Sequence, residues 1–245
     1  HVDAEIRLGE EVPGEIISLR FHGQLTEHRA CVALALLLPD SPVVAWWPGE
    51  APAAVSESAI GRIAQRRITD AASSSDPLGA LARIATTYQP GDTDFSWTRL
   101  TLWRAQLAAV LDQPPYLPVT AVEVHGASDS PSTVLLAAWL QLQLKVKVAR
   151  EVSTKAHGSS GIQGVRLDRS AGPIMLERTV ANTATLVQPD QPTHDISLQR
   201  RSLRDCLAEE LRRLDPDDLF GDVVMKGIGQ LNAPTTGTHT IVGAS

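Results

Sequence analysis

Histidines, serines, cysteines and two tryptophan–arginine pairs are the side chains in this sequence that could do chemistry. Three histidines are followed by glycine, His22-Gly23, His125-Gly126 and His157-Gly158, and the first two pairs are offset by 103 residues. After the second pair come Ser128, Ser130, Ser132 and Thr133. At a strand-to-helix turn, the backbone amides beside such serines can hold a phosphate. His125, Ser128 and Ser130 are therefore the candidate anion site, and ordinary helix capping is the favoured alternative. No G-x-G-x-x-G, phosphate-binding loop or G-x-S-x-G motif occurs in the chain. His28 and Cys31 stand three apart, but two ligands do not make a zinc site. Cys31 reads better as a small core residue, and Cys206 as a thiol on an amphipathic helix. A redox role through a direct bond between Cys31 and Cys206 would need their Cα atoms within about 7 Å. The sequence nominates no catalytic residue, metal site or cofactor.

Trp97 and Trp103, with Arg99 and Arg104, form the most unusual group. Tryptophan and arginine dominate the energetics of protein–protein contacts. Trp46, Trp47, Asp94, Trp97, Arg99 and Arg104 are therefore the candidate partner-binding residues. The alternative places Trp103 in the core and pairs the arginines with Asp92, Asp94 or Asp112. Arg66-Arg67 beside Asp70 either binds an anion or charges a sheet edge. Arg200-Arg201-Arg204 and Arg212-Arg213 are interleaved with acids and read as a solvated helix face.

The elements that must position these residues are of α/β type. Val43 to Trp47 is a short β-branched and aromatic run between Pro42 and Pro48, which reads as a buried strand. Trp46 and Trp47 then point to opposite faces. Glu15–Phe21 and Arg66–Asp70 are further strands, and Glu5–Leu8 is a weaker one. Pro13-Gly14 is a turn, and Thr26 caps a helix that Pro39 ends. Asp76-Pro77 caps a helix that runs to about Tyr88. Asp92 to Asp112 reads as one long helix, with Leu100, Trp103, Leu107, Val110 and Leu111 at spacings of three and four.

The proline-rich segment Pro114–Pro118 marks a boundary between an N-terminal α/β domain (1–117) and a C-terminal one (118–231). The second begins with strand Val119–Val124, stopped by His125-Gly126. Ser130-Pro131 caps a helix to about Leu144, and Lys145–Val152 alternates like a half-exposed strand. Strand–His-Gly–helix–strand occurs in both parts, so two tandem α/β units are expected. Ile162–Arg169, Pro173–Val180 and His194–Arg200 extend the second sheet in antiparallel fashion. Two C-terminal helices follow, the first with a stripe of Leu203, Leu207, Leu211 and Leu214. Residues 232–245 read as a flexible tail.

Composition excludes some functions. The chain has 245 residues and a formal net charge of −6, whereas a nucleic-acid surface wants a basic stripe. No apolar run approaches a membrane span. Two cysteines among so many residues suit a reducing cytosol, so a cytoplasmic location is expected. No signal peptide is visible, and the start at His1 reads as a trimmed chain.

Leu37 to Pro48, Arg66 to Ala71 and Asp92 to Arg104 together resemble the OpcA family of glucose-6-phosphate dehydrogenase assembly proteins. Within them stand Trp46-Trp47-Pro48 and an Asp-x-x-Trp-x-Arg-x-x-x-Trp-Arg pattern made by Asp94, Trp97, Arg99, Trp103 and Arg104. Cys206 to Asp215 and Lys226-Gly227 fit the family's C-terminal helices. The resemblance runs from about Glu15 to about Leu231, and the family's usual N-terminal helix and strand look absent. It implies a non-catalytic protein that binds glucose-6-phosphate dehydrogenase, the entry enzyme of the oxidative pentose phosphate pathway. It supplies no catalytic residues. A sugar-phosphate sensor built on the first two His-Gly turns is the competing reading.

Overall fold

The structure is a computed structural model that describes residues 1–8, 15–23, 29–38, 40–153 and 161–232. Pro13-Gly14, Thr26, His28, Pro39 and the tail from 233 onward lie outside the described residues.

The chain begins with an antiparallel hairpin, β1 (Val2–Leu8) and β2 (Glu15–Phe21), whose register pairs Val2 with Phe21 and Ile6 with Ile17. Among the described residues these two strands pair only with each other. Helix α1 (Arg29–Leu36) follows. Then comes a three-stranded parallel sheet in the order β3 (Val44–Trp46), β4 (Arg66–Thr69), β5 (Asp92–Asp94). Short 3₁₀ turns at Val55–Glu57 and Gly61–Ile63 join β3 to β4. Helix α2 (Pro77–Thr87) lies between β4 and β5, with Asp76 accepting the Gly79 N–H as its cap and proline at its start.

The long helix expected over Asp92–Asp112 is three elements. Its first residues are β5, which pairs in parallel with β4. A turn of helix, α3 (Phe95–Thr98), follows under the Asp94 cap, and α4 (Thr101–Leu111) completes the stretch. The Asp94 carboxylate decides this break. It accepts from Ser96 N at 2.8 Å, from Ala71 N at 2.8 Å and from Thr69 Oγ1 at 2.7 Å. It thus caps α3 and holds β5 to the end of β4 at once.

The second sheet has six strands in the order β11-β10-β9-β8-β6-β7. They are β6 (Val119–Ala127), β7 (Val148–Ser153), β8 (Ile162–Arg169), β9 (Ile174–Val180), β10 (Thr183–Val187) and β11 (His194–Ser197). Only β6 and β7 are parallel, joined by α5 (Pro131–Leu144); the rest pair antiparallel. The sequence does not separate β10 from β9, because only the two-residue turn Ala181-Asn182 lies between two runs rich in apolar and β-branched residues.

The His125-Gly126 pair does not stop β6, which continues through Ala127. Gly126 lets α5 close on the strand: a Cβ there would meet Thr133 Oγ1 at 2.4 Å. The first two His-Gly pairs also differ in setting. β6–α5–β7 is a parallel βαβ unit, whereas β2 pairs with β1 and not with β3.

Helix α5 is buried on nearly every side from Pro131 to Ala138, as expected of a helix apolar all round. It sits between β6–β7 and the C-terminal helical run α7 (Asp218–Asp222), a π turn (Val223–Gly227) and α8 (Ile228–Asn232). One apolar core joins Leu81, Trp97, Trp103 and Leu107 to Val124, Leu136, Leu167, Leu176 and Phe220, across the proline-rich segment.

Of its leucine stripe, helix α6 (Leu203–Glu210) turns only Leu207 inward, half-buried against Ile68 and Phe95. Leu203, Leu211 and Leu214 are 44%, 51% and 37% exposed, while Cys206 and Glu210 are buried. Cys206 joins Ile68 and Phe95 in a small cluster, and Glu210 meets Arg66. A buried charge pair fixes the helix rotation here, because turning the leucines inward would strand both charges.

Candidate functional site

Strand β4 is buried at every position, although it carries Arg66 and Arg67. Each arginine has a dedicated carboxylate. Arg66 pairs with Glu210, and its Nη1 donates to the Asp215 carbonyl at 2.8 Å. Arg67 pairs with Asp92 and donates to the carbonyls of Ala64 and Pro90. At the end of β4, Asp70 takes both Nη atoms of Arg99, at 2.7 and 2.6 Å. Burial opposes the Arg99 charge, but the Asp70 pair outweighs it and raises the guanidinium above its ordinary pKa. Neither β4 arginine faces solvent, so Arg66-Arg67 is neither a charged sheet edge nor an open anion site.

The partner-binding candidates divide by burial. Asp94 and Trp97 are 0% and 1% exposed, so neither offers surface to a partner in this conformation. The Trp97 indole N–H donates to Asp217 Oδ2 at 2.8 Å, and its ring packs against Phe220. The Arg104 guanidinium lies 3.8 Å above the Trp97 ring centroid. Burial pushes the Arg104 pKa down, against the pull of Asp217, Glu209 and Glu210. Trp103 is buried beneath Arg178. Within the Asp-x-x-Trp-x-Arg-x-x-x-Trp-Arg pattern, Asp94 and Arg99 bond to the end of β4 and its following residues, while Trp97, Trp103 and Arg104 make contacts elsewhere in the fold. Trp46 and Trp47 are half-buried; Trp46 packs against Phe95.

The anion candidates do not converge. His125 lies between two carboxylates, Glu123 at 3.5 Å and Glu151 at 3.3 Å, which disfavour an anion there. Ser130 caps α5 by accepting the Thr133 N–H, and Ser128 is exposed. His22 stacks on His1 and contacts Asp3 in the hairpin.

The cysteines are not bonded to each other. Cys31 is exposed and Cys206 buried, and burial raises the Cys206 thiol pKa. Iodoacetamide at mildly alkaline pH is therefore expected to label Cys31 in the native protein and Cys206 only after unfolding. Mass spectrometry of the labelled peptides checks this, and equal native labelling of both would contradict the burial.

One concavity takes in Ser130 of the anion candidates and Arg99 and Trp103 of the tryptophan–arginine group. A cleft of about 580 Å³ opens between Ser73–Ser75, after β4, and Asp129–Ser132, after β6. Arg99, Arg178, Arg200 and Arg201 line it, with Leu100, Trp103 and Ile162 as apolar wall. It lies at the carboxyl ends of β4 and β6, the position where open α/β sheets place their ligands. Arg200-Arg201 reads as a solvated face because the helix that follows interleaves arginines with Asp205, Glu209 and Glu210. Arg178 carries no local signal, since it reaches the cleft from the middle of an antiparallel strand.

Two family models match the chain. Residues 1–86 match the glucose-6-phosphate dehydrogenase subunit N-terminal domain, and residues 90–224 match the C-terminal domain of the same subunit. The chain belongs to the OpcA family of glucose-6-phosphate dehydrogenase subunits. The match from residue 1 places the β1–β2 hairpin inside the family's N-terminal domain, which the sequence resemblance had begun only at about Glu15. No curated protein matches this OpcA-family chain. Two solved structures of KijD10, a 3-ketoreductase from Actinomadura kijaniata in complex with TDP-benzene and NADP, are similar in part. A point mutant shares 13% identity at a TM-score of 0.49, covering 84% of this chain and 80% of that one. The open conformation shares 10% at 0.46, covering 79% and 76%. Likeness at that level carries no argument about chemistry. Among the described residues no helix is long and apolar enough to cross a membrane.

Proposed function

We propose that this chain is a non-catalytic cytoplasmic subunit that binds glucose-6-phosphate dehydrogenase and biases its activity in the oxidative pentose phosphate pathway. The observation that carries the reading is the match to both domains of the dehydrogenase subunit, over most of the chain. The charged residues at the parallel strand ends support it, because Arg66, Arg67 and Arg99 are each held by an internal carboxylate. Activation then works by linkage: the subunit binds one state of the enzyme better than another and shifts the population by that difference.

The surface we assign to this contact is the hairpin. Its register puts Val2, Ala4 and Ile6 on one face with Ile17, Leu19 and Phe21. Ile6 is 63% exposed and Ile17 37%. An isolated two-stranded hairpin is marginal in water, so a partner laid on this face would stabilise it. Trp46, Trp47, Arg99 and Arg104 keep part of their surface and are secondary candidates.

Dehydrogenase activity across a glucose 6-phosphate titration, with and without the chain, tests the reading alongside co-elution on a sizing column. A complex with changed rate or apparent affinity is expected. Ile6→Asp with Ile17→Asp is expected to weaken co-elution at least about tenfold while leaving the melting of the two larger sheets intact. No complex and no kinetic effect would overturn the proposal; a normal complex with the double variant would remove the hairpin from the interface.

A further inference from the structure

We propose that the arginine-lined cleft binds a dianionic phosphate ester of metabolite size, at a site apart from the hairpin assigned to the dehydrogenase contact. The cleft has the volume of a small-molecule site, about 580 Å³, within the usual range of such pockets. Arg99, Arg178, Arg200 and Arg201 line it together with Asp129; of these, Arg99 pairs with Asp70 and Arg201 with Glu209.

Arg178 is the informative member. It donates to the carbonyls of Ala181 and Leu198, at 2.5 and 2.6 Å, and sits 5.5 Å over the Trp103 ring. Among the described residues no carboxylate lies within ion-pair distance of it. The contrast with Arg66, Arg67 and Arg99 is direct, since each of those has an acid of its own. Burial, and then the positive charge of Arg200, push the Arg178 pKa down. Arg178 and Arg200 both line the concave space, where the oxygens of a bound anion would offset their charge. Guanidinium groups bind phosphate oxygens through parallel N–H donors. Leu100, Trp103 and Ile162 supply an apolar wall suited to the carbon skeleton of an organic phosphate.

Calorimetry and thermal shift on the isolated chain at physiological salt test the site, using inorganic phosphate, glucose 6-phosphate and glucose as probes. Glucose 6-phosphate is expected to bind with Kd of about 1 mM or tighter and to raise the melting temperature. Inorganic phosphate is expected to bind more weakly and glucose not at all. Arg200→Gln, at an exposed position, and Arg178→Gln are each expected to weaken binding about tenfold. Arg150→Gln removes the same charge from exposed β7 and is expected to change nothing. The proposal is overturned by silence of both phosphates at about 10 mM, by glucose binding as well as its phosphate, by equal losses in Arg150→Gln, or by unchanged affinity in Arg200→Gln. No dehydrogenase is present, so these outcomes are independent of whether the subunit contact exists.

Discussion

Glu210→Ala is expected to destabilise the protein by about 3–5 kcal/mol, because it leaves the Arg66 guanidinium buried without its counter-charge. Arg66 and Glu210 are 3% and 5% exposed, so water does not replace the missing carboxylate. The remaining bond from Arg66 to the Asp215 carbonyl satisfies a donor but does not neutralise a charge. Glu210 also accepts from Thr98 Oγ1 at 2.6 Å, a bond that is lost as well and leaves that hydroxyl only the longer contact to the Asp94 carbonyl. The double variant Arg66→Met with Glu210→Leu removes both charges together and is expected to recover most of the loss, since apolar replacements of a buried pair are often neutral or better. Urea unfolding followed by tryptophan fluorescence measures all three proteins. A Glu210→Ala loss under about 1 kcal/mol, within the range of an exposed pair, would show that the charges are solvated in solution.

Trp97→Ala comes second, at about 3–5 kcal/mol for a buried tryptophan truncation. Three partners lose their contact at once: Asp217, which accepts the indole N–H, Phe220, which packs on the ring, and Arg104, which lies over its face. Asp217 also caps α7 through the Phe220 N–H, so the loss loosens the start of the C-terminal helices. Trp97→Phe keeps an aromatic ring but leaves Asp217 Oδ2 without the indole donor, and is expected to cost about 1–3 kcal/mol. The pair of variants separates packing from the hydrogen bond by thermal or urea melts. Equal losses in both would assign the whole effect to the hydrogen bond. Any fall in dehydrogenase binding by Trp97→Ala therefore has to be read against its stability, because the residue supports the fold from inside.

The two predictions mark where local reading succeeds and where it stops. Val44–Trp46 and Arg66–Thr69 are strands as their composition indicates, and the Asp76-Pro77 and Ser130-Pro131 starts of α2 and α5 are where expected. Caps and β-branched runs act within a turn or a few residues, so their signal is complete in the sequence. The Asp92–Asp112 periodicity misleads at its start, since Asp94 is used by Thr69 and Ala71 on another strand. The α6 leucine stripe misleads for the same reason. Its periodicity is sound, but Arg66, 144 residues away, requires Glu210 on the inner face.

The sequence by itself determined the α/β alternation, the antiparallel extension after β6 and the family, through patterns carried by neighbouring residues. Tertiary structure alone decided which charges are internal, that Trp97 belongs to Asp217 at a separation of 120 residues, and that Arg178 shares a cleft with Arg200. An arginine reads identically whether it faces water, a buried carboxylate or an open cavity. Its role depends on the desolvation of the group and on the charge placed opposite it, and folding brings both from distant parts of the chain.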